Sequence, residues 1–378
     1  MSPEAFFALA ERLNAGLTGG EVLFTSLDGE VSDFVRINRG RVRQGGSVRS
    51  AGLGLTLIEG GRQAEAACDL TGDSEQDLAR ARGLIKRLRE RLAHLPEDPY
   101  LSYSTAAWSS DERTGEPPPA AQDAIAELLT LADGLDLVGI WASGEVAEGL
   151  ASSLGHRHWH ASRSFNLDWS CYLSGDRAVK SSYAGLRWDP AALPQRLARM
   201  RADLEILARP ARTLTPGRYR AFLAPAAVAE LTDMLAWGGF DLKGQRTRQT
   251  PLLKLMDGER SFDPRISIRE EHDRGLMPRF TPEGFPKPPS VTLIEGGRGI
   301  TPLHTAPWVD DPAIPGDDAV PPVERRLSGD FFCAPFGGTD DPAVPIHGWP
   351  ANSPWQVTAR APGRVTLVLG RPVMGARI

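Results

Sequence analysis

The run Ser32-Asp33-Phe34-Val35-Arg36-Ile37-Asn38 sets aromatic and β-branched residues among polar ones and reads as a β-strand. Val22-Leu23-Phe24-Thr25 precedes it, and Gln44–Arg49 and Gly52–Glu59 follow. Glycine-containing turns separate these four runs, which predicts a meander of neighbouring antiparallel strands. On either side the period changes to that of a helix. Phe6, Phe7, Leu9, Ala10 and Leu13 recur at helical spacing between Pro3 and Gly16. Ser74–His94 opens on Ser74-Glu75-Gln76-Asp77, carries an apolar stripe through Leu78, Ala81, Leu84, Ile85 and Leu88, and is closed by Pro96 and Pro99.

Beyond the proline-rich stretch Gly115–Ala120, a helix is expected over Ala121–Asp133. Strands are expected over Leu137–Ala142, Ser162–Leu173 and Ala178–Leu186, and a charged helix over Ala191–Leu207. The segment Ala208–Gly217, with two prolines among small residues, reads as a linker. Since a single core stops growing at roughly 250 to 300 residues, a 378-residue chain predicts two domains, placed at 1–211 and 212–378. In the second, Pro225–Leu235 predicts a helix with proline in its first turn. After Gly238 the sequence is mostly short apolar runs broken by glycine and proline. The fold class expected is therefore α+β: an N-terminal α/β domain with an antiparallel meander and flanking helices, then a mostly-β C-terminal domain.

The hydrophobic and charged fractions, 41% and 24%, are ordinary for a globular protein, while 39 glycines and 31 prolines point to many turns. A net charge of −5 with arginine and lysine dispersed among acids argues against nucleic-acid binding through a basic surface. Cys68, Cys171 and Cys333 are far apart and never paired as CxxC, so neither a disulfide framework nor a structural zinc knuckle is encoded. A reducing cytoplasm fits this usage. No run of 18 apolar residues occurs, and the first residues lack a basic stretch followed by an apolar one, so neither membrane spanning nor secretion is expected.

Several segments, in order, resemble the TldD/PmbA metalloprotease family. Phe34–Gln44 resembles its early basic strand pair. Ala151-Ser152-Ser153-Leu154-Gly155 resembles its Asn-Ser-x-Gly turn, with Ser152 where asparagine is usual. Gly217–Leu231 resembles the strand and helix that open the family's catalytic half. Leu252–Gly258, Glu283-Gly284-Phe285-Pro286 and Ser290–Gly297 resemble its core strands, its Glu-Gly-x-Pro turn and its Leu-Ile-Glu-Asn-Gly hairpin. Of the family's C-terminal Asn-Pro-x-Thr-Gly-Asp-Phe turn, only Leu327–Cys333 is matched, and Pro307–Pro322 reads as an Asp- and Pro-rich surface loop.

In the protease-competent branch of the family, the helix after this opening carries His-Glu-x-x-x-His, two imidazoles one turn apart that hold a metal. The corresponding residues here are Thr232-Asp233-Met234-Leu235-Ala236-Trp237, and no histidine in the chain is followed by glutamate. The resemblance thus implies the TldE-like, or PmbA-like, subunit: inactive alone, with no catalytic, cofactor or metal residues of its own, acting with a zinc-bearing TldD-like partner on small or modified peptides. The alternative is a binding or assembly protein, homodimeric and without a protease partner.

Three other features invite chemistry. His156, His158 and His160 alternate on a strand and would share one face, where two could meet at a metal. The plainer reading, preferred here, is the polar face of an exposed strand with Arg157 and Trp159 on the other side. Glu270-Glu271-His272-Asp273 offers acid/base groups but reads as a solvated loop. Glu270, His272 and Cys333 would serve a third possibility, a metal-independent enzyme. Gly60-Gly61 and Gly296-Gly297 precede no Lys-Ser or Lys-Thr helix and read as hairpin turns, not phosphate loops.

Overall fold

A computed structural model describes residues 1–273, 277–303, 356–361, 364–368, 372–373 and 376–377. Cys333, the loop Pro307–Pro322 and the Leu327–Cys333 match lie outside the described residues. The chain divides into two compact units, residues 1–224 with 265–296, and residues 225–264 with 297–378. A division at 211/212 into independently folding parts remains our proposal.

The first unit opens with α1 (Pro3–Asn14), β1 (Val22–Asn38), β2 (Arg41–Glu59), β3 (Arg62–Asp69), α2 (Ser74–Leu92) and β4 (Ser109–Thr114). It continues through α3 (Ala121–Leu131), β5 (Asp136–Ser152), β6 (Arg157–Ser174), β7 (Arg177–Gly185) and α4 (Ala192–Leu207). The strands form one sheet in the order β3-β2-β1-β5-β6-β4, and β7 pairs with β6 as well. β4 and β7 share one side of β6. β4 lies parallel to its first half and β7 antiparallel to its second.

The four expected runs of the meander are in fact two long strands. β1 and β2 pair continuously from Val22 opposite Ile58 to Asn38 opposite Arg41, with a bulge near Arg36 and Ile37. Gly29, expected to turn the chain, sits inside β1, where extended backbone asks nothing special of glycine. The turn is Arg39-Gly40, both at positive φ (52° and 63°), as a two-residue hairpin of the twist-matched type requires.

Alternation divides the sheet into two faces. Odd-numbered residues of β1, β2, β5 and β6 point to one face, and four helices cover it. Phe6, Leu9, Ala10 and Leu13 of α1, with Leu78, Ala81, Leu84, Ile85 and Leu88 of α2, pack on Leu23, Leu27, Leu53, Leu55, Leu57 and Trp159. α3 and α4 pack on Ile37, Leu137, Trp141, Phe165, Leu167, Trp169 and Cys171. The cap of α2 is Asp73, whose carboxylate accepts from the amides of Glu75 and Gln76 at 3.0 Å each. Among the described residues no helix is long and apolar enough to cross a membrane.

Residues 265–296 return to the first unit with β8 (Ile268–Glu271) and β9 (Ser290–Glu295), an antiparallel pair. The second unit holds α5 (Pro225–Ala236), α6 (Leu242–Arg246), α7 (Leu253–Met256), β10 (Arg298–Gly299), β11 (Gln356–Ala361), β12 (Arg364–Val368), β13 (Pro372–Val373) and β14 (Ala376–Arg377). The helix expected at Pro225 is present, whereas Leu252–Gly258, matched above to a strand, forms the short helix α7. Its first turn is held by the Thr250 hydroxyl, which accepts from the Leu252 amide and donates to the Gly239 carbonyl.

Candidate functional site

The even-numbered face of the sheet carries polar rows beside a small apolar cluster of Phe24, Ile58, Leu150 and Phe280, and its registers assemble residues that are distant in sequence. His158 lies between Leu150 of β5 and Ser110 of β4, with Ser26 of β1 beyond Leu150. In the next row His160 lies between Glu148 and Glu112, with Asp28 beyond Glu148. One imidazole and three carboxyls thus cross four adjacent strands. His156 precedes β6 at the tight turn Ser152–His156, closed by bonds from Gly155 to Ser152 and from Ser152 to His156.

The three histidines share a face, as alternation predicts, but that face is not exposed there. His156, His158 and His160 are 0%, 0% and 2% exposed. Residues 277–288 fold over them, so the exposed-strand reading is corrected by a long-range contact that strand pattern cannot signal. Phe280 stacks on His158 with centroids 5.0 Å apart, and Trp108 lies 4.0 Å from the same ring. The Trp108 indole donates to the Gly284 carbonyl at 2.8 Å, and the Ser104 amide donates to Glu283 at 2.9 Å. Gly284 adopts φ +82°, and a Cβ there would stand 2.9 Å from His156 Nε2, so only glycine fits on both counts. Arg157 and Trp159 point the other way, Trp159 into the core beside Phe6.

Hydrogen bonding around Ser152 favours one tautomer of His156. Ser152 Oγ accepts from the amides of Leu154 and His156, which leaves its proton for His156 Nδ1 at 2.7 Å and places the imidazole proton on Nε2. His158 Nδ1 meets Ser110 Oγ at 3.0 Å. Among the described residues, Nε2 of both rings is buried without a hydrogen-bond partner of good geometry, although the backbone of Ala106 lies near enough to His156 to favour its charged form. Burial holds the His156 imidazole below the usual histidine range and pushes His158 down to about 4, with the neighbouring His156 adding to the latter. Both are neutral at pH 7.

The next row behaves oppositely. Burial raises the Glu148 carboxyl, the charge of Asp28 raises it further, and His160 and Lys287 oppose both. His160 Nδ1 stands 3.9 Å from Glu112, which also faces Arg279 at 3.7 Å. A half-buried carboxyl biased toward its protonated form, beside an imidazole and two further carboxyls, is an arrangement suited to exchanging protons. Among the described residues, no group of three or more His, Cys, Asp or Glu side chains is placed to hold a metal.

Glu270 and His272 are brought together. Glu270 belongs to β8, not to a solvated loop, and His272 is buried with Nε2 3.2 Å from the Glu270 carboxylate. On and just after α5, where the family resemblance would place a zinc motif, the donors are Thr232 and Asp233 among Met234, Leu235 and Trp237. One carboxylate and one hydroxyl that already donates to the Val228 carbonyl do not fit zinc.

Sequence reading missed Glu112, Glu148 and Asp28. Each is two strands or fewer from His160 in space yet up to 132 positions away in the chain, and only the strand order joins them.

No family model and no curated protein matches the sequence. Solved structures do match. TldE from Thermococcus kodakarensis superposes with a TM-score of 0.56 at 14% identity, over 79% of this chain and 69% of that one. A candidate modulator of a DNA gyrase from Thermotoga maritima gives 0.58 at 15% identity, over 80% and 69%. Another from Bacteroides thetaiotaomicron gives 0.57 at 13%, over 79% and 71%. The class defined is an α+β fold with a large, mostly antiparallel sheet. More particularly, the chain has the fold shared by TldE and these two proteins.

Proposed function

We propose that this chain is a TldE-like member of the TldD/PmbA family, a cytoplasmic subunit that acts with a zinc-bearing TldD-like partner in the proteolysis of small or modified peptides. The observation that supports it is a fold shared with TldE over most of the chain, combined with a helix α5 that carries no imidazole. A subunit retained for its surface keeps its core and has no need of metal ligands. No catalytic step is assigned to this chain alone. Co-expression with a family homologue bearing His-Glu-x-x-x-His, size-exclusion chromatography and a peptide-cleavage assay test the reading. Co-elution with gain of cleavage is expected; separate elution with unchanged cleavage would overturn it.

A second reading, a binding protein without a protease partner, is supported by the description of two similar structures as candidate modulators of a DNA gyrase. In the same experiment it predicts a homodimer that ignores the zinc-bearing homologue.

A further inference from the structure

The hairpin of β1 and β2 runs well past its neighbour. β3 pairs with β2 only over residues 52–59, so among the described residues Arg41–Ala51 have β1 on one side and no strand on the other. The Ala51 carbonyl accepts from the Leu70 amide at 2.8 Å, which shows that Ala51 turns its polar backbone outward. By the alternation of an antiparallel strand, Gly45, Ser47 and Arg49 also present N–H and C=O outward. Such an edge is a template for another strand.

Its side chains select the strand. Between Asp33 and Glu59 there are five arginines, at 36, 39, 41, 43 and 49, and no carboxylate. This is in a chain whose net charge is −5. None of the five forms an ion pair among the described residues, and Asp33, the carboxylate across from Ser47, is bonded to that hydroxyl. Beside this edge, on the face of the sheet, Arg36, Asn38, Arg43 and Gln44 line an open cleft of about 450 Å³ together with Val138 and Ile140 of β5. Charged residues also guard an edge against chance pairing, but five of one sign repel a second copy of this edge and attract an acidic strand.

We infer that the outer edge of β2 is a docking site for an extended acidic peptide segment, added as a strand along Arg43–Ser50 with its carboxylates met by the arginines. This goes beyond the partner-subunit reading and does not depend on it.

The test uses the full chain and a fluorescein-labelled octapeptide alternating Glu and Val, read by anisotropy, with the Lys/Val peptide as control. Binding of the acidic peptide alone is expected, weakened at least tenfold by R41E/R43E. Gly45→Pro removes one outward N–H, and no bond to β1, and should weaken it similarly. In the unmodified chain, the peptide should slow hydrogen exchange at Gly45, Ser47 and Arg49. Equal binding of both peptides would overturn the inference, as would exchange unchanged on binding. Full affinity in Gly45→Pro would reduce the site to charge without strand addition and overturn it too. So would concentration-dependent dimerisation abolished by R41E/R43E in the absence of peptide binding.

Discussion

The two faces of the large sheet are built from the same strands, one residue apart, yet they are stabilised differently. On the odd face, Leu55, Leu57, Trp141, Leu167 and Trp169 are at most 1% exposed and sit under four helices. On the even face, the residues between them are Ser26, Asp28, Glu30, Ser32, Glu148, Ser162 and Asn166, with Val146 left 48% exposed. The odd face gains from burying apolar area, roughly 25 cal/mol per Å². The even face buries imidazoles whose Nε2 atoms find no partner among the described residues, which costs free energy. Apart from the small cluster of Phe24, Ile58, Leu150 and Phe280, the helix-clad face supplies the apolar burial and the other carries polar groups at some cost, which is where function is expected to reside.

The largest effect that distinguishes the faces is a large-to-small substitution. Leu55→Ala should destabilise by about 3 kcal/mol, because the cavity forms under α1 and α2 where nothing can collapse to fill it. Val146→Ala on the even face should change stability by less than about 0.5 kcal/mol. Urea unfolding measures both. Similar losses would erase the contrast.

The second effect is a pH dependence confined to the even face. His158 titrates near 6.5 when unfolded and is held at about 4 when folded. Between these values the unfolded chain binds more protons, so stability is full above about pH 6.5 and falls as pH drops toward 4. For His158 alone this amounts to about 3 kcal/mol, and His156 shifts in the same direction. Urea midpoints at pH 7, 6, 5 and 4.5 should follow that fall in the unmodified chain and show a shallower one in His158→Phe. Equal slopes would mean that the imidazole is solvated in the folded protein.

The sequence was most legible where one element's own pattern decided the outcome. The stripes of α1 and α2 and the parity that places the three histidines on one face are local, and each is found as expected, whereas the cap of α2 is Asp73, one residue before the expected Ser74. Length was misread in β1 and β2, since Gly29 and the Ser50-Ala51 break before Gly52 look like punctuation but lie in continuous strand. The burial of the histidines was not legible, because it depends on residues 277–288 crossing a face formed by strands more than a hundred positions earlier. Glu112 was hidden for the same reason, since β4 joins β6 in parallel and its run Ser-Ser-Asp-Glu-Arg-Thr has no apolar alternation. His272 was misjudged by its charged neighbours in sequence, whereas its burial beside Glu270 follows from the pairing of β8 with β9.

The smallest expected effect concerns the row beside the buried imidazoles. The Glu148 carboxyl is raised by burial and by Asp28, so its folded value lies above its unfolded one. Such a group contributes stability that is fully present below the unfolded value and is lost as pH rises through the folded one. At pH 7 the ionised form is therefore a net cost. Glu148→Gln, of the same shape but uncharged, should stabilise the protein there by a few tenths of a kcal/mol, kept small because the group is only half-buried and solvent screens it. Near pH 4, where the carboxyl is largely protonated in both states, the gain should vanish. Loss of more than about 1 kcal/mol at pH 7 would show that ionised Glu148 is needed by His160 and Lys287. That result would make charge pairing, and not the helix-clad face alone, part of what holds the sheet together.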